Sequence, residues 1–280
     1  MKFLLDILKG IKAECGKDFP VIVRLSVDEC YKEIGREGVG YTLPDGVRMA
    51  KIIEENGADA IDVSSAGYDT YNYWLEPTSF ECGWRKYMAR AVKDAVKIPV
   101  LAANLIRSPE QAESQLEDGT QDFVCLGRPH IADPHWANKV KEGREDEISR
   151  CICCLYCMES MQANAYKGTH AQCSVNPKLG HEKETLKVNG NGRSVLVVGA
   201  GPAGLMCAKT LAKRGFDVLV AEKQEKTGGQ LLLAAAPPKK EKINWLIEDL
   251  THTAQKAGAK IECGVTVDKE MIKKAKPYAV

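Results

Sequence analysis

Cys151, Cys154 and Cys157 stand two residues apart, and a fourth cysteine, Cys173, follows inside a CSVNP stretch. Two-residue spacings let successive thiolates converge on one compact centre from a tight turn, and the fourth returns from further along. Four thiolates suit a 4Fe-4S cluster or a structural zinc. Zinc sites more often present two separated C-x2-C pairs, so the spacing favours iron–sulfur. Cys153 is surplus to that set, although an alternative pairing through it stays open and would move the cluster geometry. The chain has 11 cysteines, an odd number. Those scattered in apolar stretches, such as Cys125 and Cys207, read as small buried hydrophobes. The opening residues carry no secretion signal, so the clustered set argues for a metal site in a reducing, cytoplasmic compartment rather than a disulfide framework.

A second constellation follows a polar, Gly/Asn-rich linker at 178–193. The apolar run SVLVV leads into Gly199-x-Gly201-x-x-Gly204, a helical stretch follows to Arg214, and a second strand ends in Glu222 and Lys223. Glycines at those positions let the backbone close on a pyrophosphate at a helix N-terminus, and an acid about 20 residues on can bind ribose hydroxyls. A bare GxGxxG is weak evidence, but strand, helix and acid all sit where a dinucleotide fold needs them. Trp245–Ala257 reads as a helix and Lys260–Val267 as a further strand.

The elements that must position a third set lie in the first half. Short β-branched runs at 20–26, 59–64, 98–103 and 122–127 each follow a helical stretch, and Gly57, Pro99 and Gly119 punctuate the returns. Strands alternating with helices at this spacing imply a parallel sheet. Four strands make either a small open α/β sheet or half of an eight-fold βα barrel, which needs about 250 residues, and the residues at their C-terminal ends favour the half barrel. Barrels carry their sites at the C-terminal ends of the strands. Arg24, at the end of the first run, can face a flavin pyrimidine edge and stabilise negative charge there. Ala103-Asn104-Leu105 and Gly127-Arg128 end the third and fourth runs. Small residues there let backbone N–H groups approach a phosphate, and Arg128 adds charge.

Bulk properties set the frame. The 280 residues are 44% hydrophobic and 28% charged, with a net charge of +1. Nothing in that balance points to nucleic acid or an anionic membrane surface, and no apolar run reaches the roughly 18–20 residues of a membrane span. The opening MKFLLDILKG reads as an amphipathic helix with Leu4, Leu5, Ile7, Leu8 and Ile11 near one face.

The stretches VRLS, AANLIRSPEQAE and VCLGRPHIADPHWANKVKEG resemble the second half of the old yellow enzyme barrel. The resemblance is to its iron–sulfur branch, which contains 2,4-dienoyl-CoA reductase, enoate reductase and trimethylamine dehydrogenase. It implies that Arg24, residues 103–105 and Gly127-Arg128 contact FMN, and that a 4Fe-4S cluster follows the barrel directly. The cysteine spacing departs from the dienoyl-CoA reductases, which place three residues between the second and third cysteine. Here there are two, as in the amine dehydrogenases, and the gap to Cys173 is longer than in either. Thr227-Gly228-Gly229-Gln230 looks like the flavoprotein disulfide-reductase type of domain, which favours FAD over NAD. In the loop DVSSAGYDTYNYW, Tyr68 and Asp69 stand where the dienoyl-CoA reductases carry a histidine. Tyr68 becomes the candidate proton donor, since a phenol can donate to a developing carbanion, while the family's main donor would lie on a strand outside this chain. Tyr71, Tyr73, Trp74 and Pro77 look closer to enoate reductases and could line a flat unsaturated substrate.

The expected architecture is therefore α/β in three parts. Residues 1–145 form the second half of a TIM barrel, 146–190 the cluster segment and linker, and 191–280 the start of a Rossmann-like FAD-binding domain. The resemblance implies electrons passing from NAD(P)H through FAD and the cluster to FMN, for reduction of an enoate, enoyl-CoA or enone. An amine dehydrogenase of the same architecture, or a cofactor-binding piece without turnover, are the alternatives. The chain is expected to be an internal piece of a longer reading frame, and half a barrel exposes strand edges that favour a homo-oligomer.

Overall fold

The computed structural model describes residues 1–280. The chain divides into two compact units, Met1–Gly127 and Arg128–Val280. The first contains α1 (Lys2–Cys15), β1 (Ile22–Ser26), α2 (Leu43–Glu55), β2 (Ala60–Ser64), α3 (Tyr71–Trp74), α4 (Lys86–Lys93), β3 (Val100–Ala102), α5 (Pro109–Glu117) and β4 (Phe123–Val124). Local signals start the helices where the chain needs them. Thr42 and Asp45 form a capping box at α2, and Ser108 accepts a hydrogen bond from the Gln111 N–H at the start of α5, with Pro109 as its first residue.

The four strands run parallel in the order β1-β2-β3-β4. The register sets Arg24 opposite Asp62, Val63 opposite Ala102 and Ala102 opposite Val124. Val23, Leu25, Ile61, Val63, Val100 and Ala102 point into a core shared with Leu8, Ile53, Met88 and Val92 of the helices. Ile22, Arg24 and Phe123 lie on the other face and are exposed. Period-two alternation thus decides which residues are free to meet a ligand. Gly46 is required by contact: a Cβ there would sit 2.0 Å from the Val27 carbonyl oxygen, so α2 comes that close to the strand end only through glycine. The third and fourth strands are shorter than expected. In α1, Leu8 is buried and Leu4 packs on the core, but Ile7 is exposed.

The second unit holds α6 (Arg128–Ala132), α7 (Trp136–Lys141), α8 (Tyr156–Ala165), β5 (Ser194–Val198), α9 (Pro202–Lys213), β6 (Asp217–Glu222), α10 (Leu231–Ala234), α11 (Lys242–Lys256), β7 (Lys260–Cys263) and α12 (Lys269–Ala275). The strands are parallel in the order β5-β6-β7. Ala279 bridges to Val195 on the edge of β5 away from β6, so the strand order reverses at β5. Open α/β sheets bind ligands at such a reversal. The core joins Leu205 and Ala208 of α9, Val218 and Val220 of β6 and Leu246 and Leu250 of α11 to Ile152 and Val175 of the cysteine segment. Arg150 ties that segment to α11 through Asp249, at 2.7 and 2.9 Å, and Lys256 reaches Asp146 at 2.7 Å. Residues 128–145 fall in the second compact unit. No helix is long and apolar enough to cross a membrane.

Candidate functional site

The glycine loop is closed by its own backbone. Gly199 adopts φ +100°, a conformation that favours glycine. A Cβ on Gly204 would lie 2.0 Å from the Gly199 carbonyl oxygen, and one on Gly229 would lie 3.1 Å from the Gly201 Cα. Gly201 caps α9, a 12-residue helix whose N-terminal N–H groups favour an anion. The Glu222 carboxylate accepts the N–H of Ala200 at 2.7 Å and of Gln224 at 2.9 Å, and the Gly228 N–H donates to the Ala200 carbonyl at 2.8 Å. Those backbone donors, from Gln224 and Ala200, hold the Glu222 carboxyl below the usual carboxylate range. Expected as a ribose ligand, Glu222 also braces the loop. A cavity of about 590 Å³ is lined by Gly199, Glu222, Lys223, Gly229, Gln230 and Thr266, a size suited to a small-molecule ligand. The cradle fits a dinucleotide.

The cysteine segment turns through two left-handed residues, Cys153 at φ +56° and Leu155 at φ +63°, before α8 begins. Cys157 is buried, Cys151 and Cys173 pack beside the second core, and Cys154 is exposed. The Val175 N–H donates to the Cys173 sulfur at 3.4 Å, and the Cys154 thiol to Ser174 Oγ at 3.5 Å. Burial pushes the Cys157 thiol pKa up, the charges of Cys173 and Cys154 add to this, and Arg128 opposes it. A buried thiol whose ionisation two neighbouring thiols oppose suits a cation, which reverses the penalty and deprotonates its ligands. The donor chemistry fits a thiolate-bound cluster, yet no three of these groups stand at ligating geometry. Cys153 is buried with its thiol toward the Cys151 carbonyl, at 3.8 Å. Cys207 is exposed and Cys125 only half-buried, so neither is the core residue expected.

On the four-stranded sheet, Arg24 projects from the middle of β1 rather than its end. Its Nη1 donates to Asp62 Oδ2 at 2.9 Å and its Nη2 to Ser64 Oγ at 3.3 Å. Asn104 is fully buried, and its Nδ2 donates to Gln115 Oε1 at 2.8 Å. The buried oxygens Asn104 Oδ1 and Asp62 Oδ1 accept no hydrogen bond. Such acceptors suit a ligand that brings N–H donors, as a flavin pyrimidine ring does. Leu105 takes φ +50° to make the turn, and Ala103 is partly exposed beside it. Gly127 is exposed with open space where a Cβ would be. Gly127 and Arg128 fall on opposite sides of the boundary between the units, and the Arg128 charge reaches Cys157. Tyr68 is 86% exposed, with its ring edge-on to Trp74 at 5.6 Å. Tyr71 meets Trp74, while Tyr73 packs against Phe80 and Trp84.

The sequence reading missed Glu76 and Arg85. They form a buried pair at 3.2 Å, and Arg85 also donates to Ser65 Oγ at 2.9 Å. Both follow β2 in irregular stretches where charged residues normally face water, so no pattern marks them. Cys30 was also missed. Burial, then Asp28 and Glu33, push its thiol to about 12, which rules it out as a nucleophile near neutral pH.

Comparison with known proteins matches residues 1–147 to the NADH:flavin oxidoreductase / NADH oxidase family and residues 197–245 to an NAD(P)-binding Rossmann-like domain. An NADH oxidase of Thermoanaerobacter brockii is 41% identical over 99% of this chain and 42% of its own length. An N,N-dimethylglycine/sarcosine dehydrogenase of Chromohalobacter salexigens is 34% identical over 87% of this chain and 35% of its own. The solved structure of a 2-naphthoyl-CoA reductase superposes with a TM-score of 0.86 and 29% identity, covering 99% of this chain and 41% of that one. The chain thus spans less than half the length of these relatives. The first match takes in more than half of the residues, including the strand that carries Arg24 and the turns that carry Asn104 and Gly127, so the chain belongs to the NADH:flavin oxidoreductase / NADH oxidase family.

Proposed function

We propose that this chain carries the FMN, iron–sulfur and FAD sites of an NAD(P)H-dependent reductase of activated C=C bonds. The observation that carries the reading is the order of three donor sets along one chain: the strand ends of the first unit, the four cysteines, then the glycine cradle. When bound, the flavins would supply hydride chemistry and the cluster one-electron transfer between them. Arg24 would offset negative charge on the flavin ring. The 103–105 turn and Gly127-Arg128 would hold its phosphate. Cys151, Cys154, Cys157 and Cys173 would ligate the cluster. Gly199, Gly201, Gly204, Lys223, Gly229 and Gln230 would hold the FAD pyrophosphate and ribose. Tyr68, whose hydroxyl reaches solvent, would deliver the proton to the substrate carbon.

The 2-naphthoyl-CoA reductase likeness supports a conjugated acyl substrate. The dimethylglycine/sarcosine dehydrogenase likeness and the two-residue cysteine spacing favour a second reading, oxidation of a methylated amine. The test is turnover by the full-length enzyme. Anaerobic NADH oxidation that depends on an aryl enoate or its CoA ester supports the reductase. Reduction of the flavin by a secondary or tertiary amine, with no enoate turnover, replaces it with the amine reading. The protein is further proposed to act as a cytoplasmic homo-oligomer, which sedimentation of the intact enzyme tests.

A further inference from the structure

We propose that Asp62 is a positioning residue for the flavin of the first unit: it fixes the Arg24 guanidinium and sets how much of its charge the flavin meets. The inference rests on the flavin reading above. The parallel register of β1 and β2 places Arg24 directly opposite Asp62. The guanidinium is held at two points, Asp62 Oδ2 at 2.9 Å and Ser64 Oγ at 3.3 Å, both on β2. The partners are unequal in exposure. The Asp62 side chain is 16% exposed and that of Arg24 is 57% exposed, so the acid is the anchor and the cation is what the sheet presents.

A cross-strand ion pair kept only for stability would contribute little at this exposure. It would also not leave one oxygen of a mostly buried carboxylate without a partner, as Asp62 Oδ1 is. That oxygen is a second acceptor beside the guanidinium, placed for a ligand N–H. Asp62 would hold Arg24 in one orientation and partly neutralise it, so that the reduced, more negative flavin is stabilised only to a set degree.

A reporter that needs no flavin lies within the same field. The Cys125 thiol, just past β4, is raised in pKa by burial first and by Asp62 next, while Arg24 lowers it. Asp62 and Arg24 therefore act on it with opposite signs.

The test uses the full-length enzyme with FMN and the variants Asp62→Asn, Arg24→Gln and the double variant. In Asp62→Asn the Arg24 charge is no longer offset, so reduced FMN is held about tenfold tighter relative to oxidised FMN and the midpoint potential rises. Arg24→Gln lowers the potential, and in the double variant the Asp62 effect vanishes. Without flavin, the pH profile of Cys125 alkylation, read by mass spectrometry, moves to lower pH in Asp62→Asn and to higher pH in Arg24→Gln. An unchanged potential in Asp62→Asn, or an effect that persists without Arg24, overturns the proposal while FMN binding stands. A wild-type chain that takes up no FMN overturns the flavin reading and this proposal together, and the Cys125 profiles still establish whether the pair forms.

Discussion

The glycine loop and the cysteine segment belong to the same unit and share one core, yet they are built in opposite ways. The loop is made of backbone. Its closure depends on missing Cβ atoms at Gly204 and Gly229 and on backbone hydrogen bonds to Glu222, all of which stand without a ligand. The cysteine segment is made of side chains. Cys154 and Cys173 oppose the ionisation of Cys157, so the set suits a cation that offsets that charge. The first is a cradle shaped by backbone, and the second is a set of side-chain donors.

The contrast is broken most forcefully at the thiols. Cys157→Ser should lose the bulk of the bound iron, because thiolate–metal binding is worth on the order of 10 kcal/mol. Cys153→Ser should keep it. Iron and sulfide analysis of the purified chain measures both, and iron lost equally in the two would put Cys153 in the ligand set. Gly204→Val should destabilise the second unit by about 3 kcal/mol, since a Cβ would collide with the Gly199 carbonyl. Urea denaturation followed at the Trp245 fluorescence reads this, and a wild-type midpoint would mean that the loop is not closed as described.

Glu222→Gln has a smaller effect, about 2 kcal/mol, because one charged acceptor of two N–H groups becomes neutral. Its pH dependence has a definite sign. The folded Glu222 carboxyl is held below its ordinary value, so its contribution is present above the usual carboxylate range and lost as pH falls through the folded pKa. Wild-type stability should therefore drop on acidification more steeply than that of Glu222→Gln, and parallel acid limbs would remove Glu222 as the brace. Tyr68→Phe should have the smallest structural effect, under about 0.5 kcal/mol, because the ring stays on Trp74 and the hydroxyl faces solvent. In the full enzyme it should slow enoate turnover about a hundredfold if the hydroxyl gives the proton. Unchanged turnover would return Tyr68 to the role of a packing residue.

The legible parts of this molecule were those written in local chemistry. The glycine spacing, the acid at 222 and the alternation of Val23, Arg24 and Leu25 each state a constraint on neighbouring backbone, and the structure satisfies them in place. The position of Arg24 was misjudged by two residues, because the strand end depends on pairing with β2 rather than on the run of β-branched residues. Residues 128–145 fall in the second compact unit, and Asp146 just after them meets Lys256 of α11. Asp62, Glu76 and Arg85 left no signal, since their roles arise from partners 38, 9 and 20 residues away.

By itself the sequence determined the α/β class, the parallel strand–helix units and the glycine spacing, and it singled out four thiols as candidate ligands. Each follows from periodicity or spacing within a few residues, which the backbone translates directly into geometry. Tertiary structure alone decided that Asp62 holds Arg24, that Asn104 and Asp62 each keep a buried oxygen open, and that Glu222, expected as a ribose ligand, also braces the loop. Those facts depend on which distant side chains burial forces together, and burial is settled only when the sheets and helices have packed.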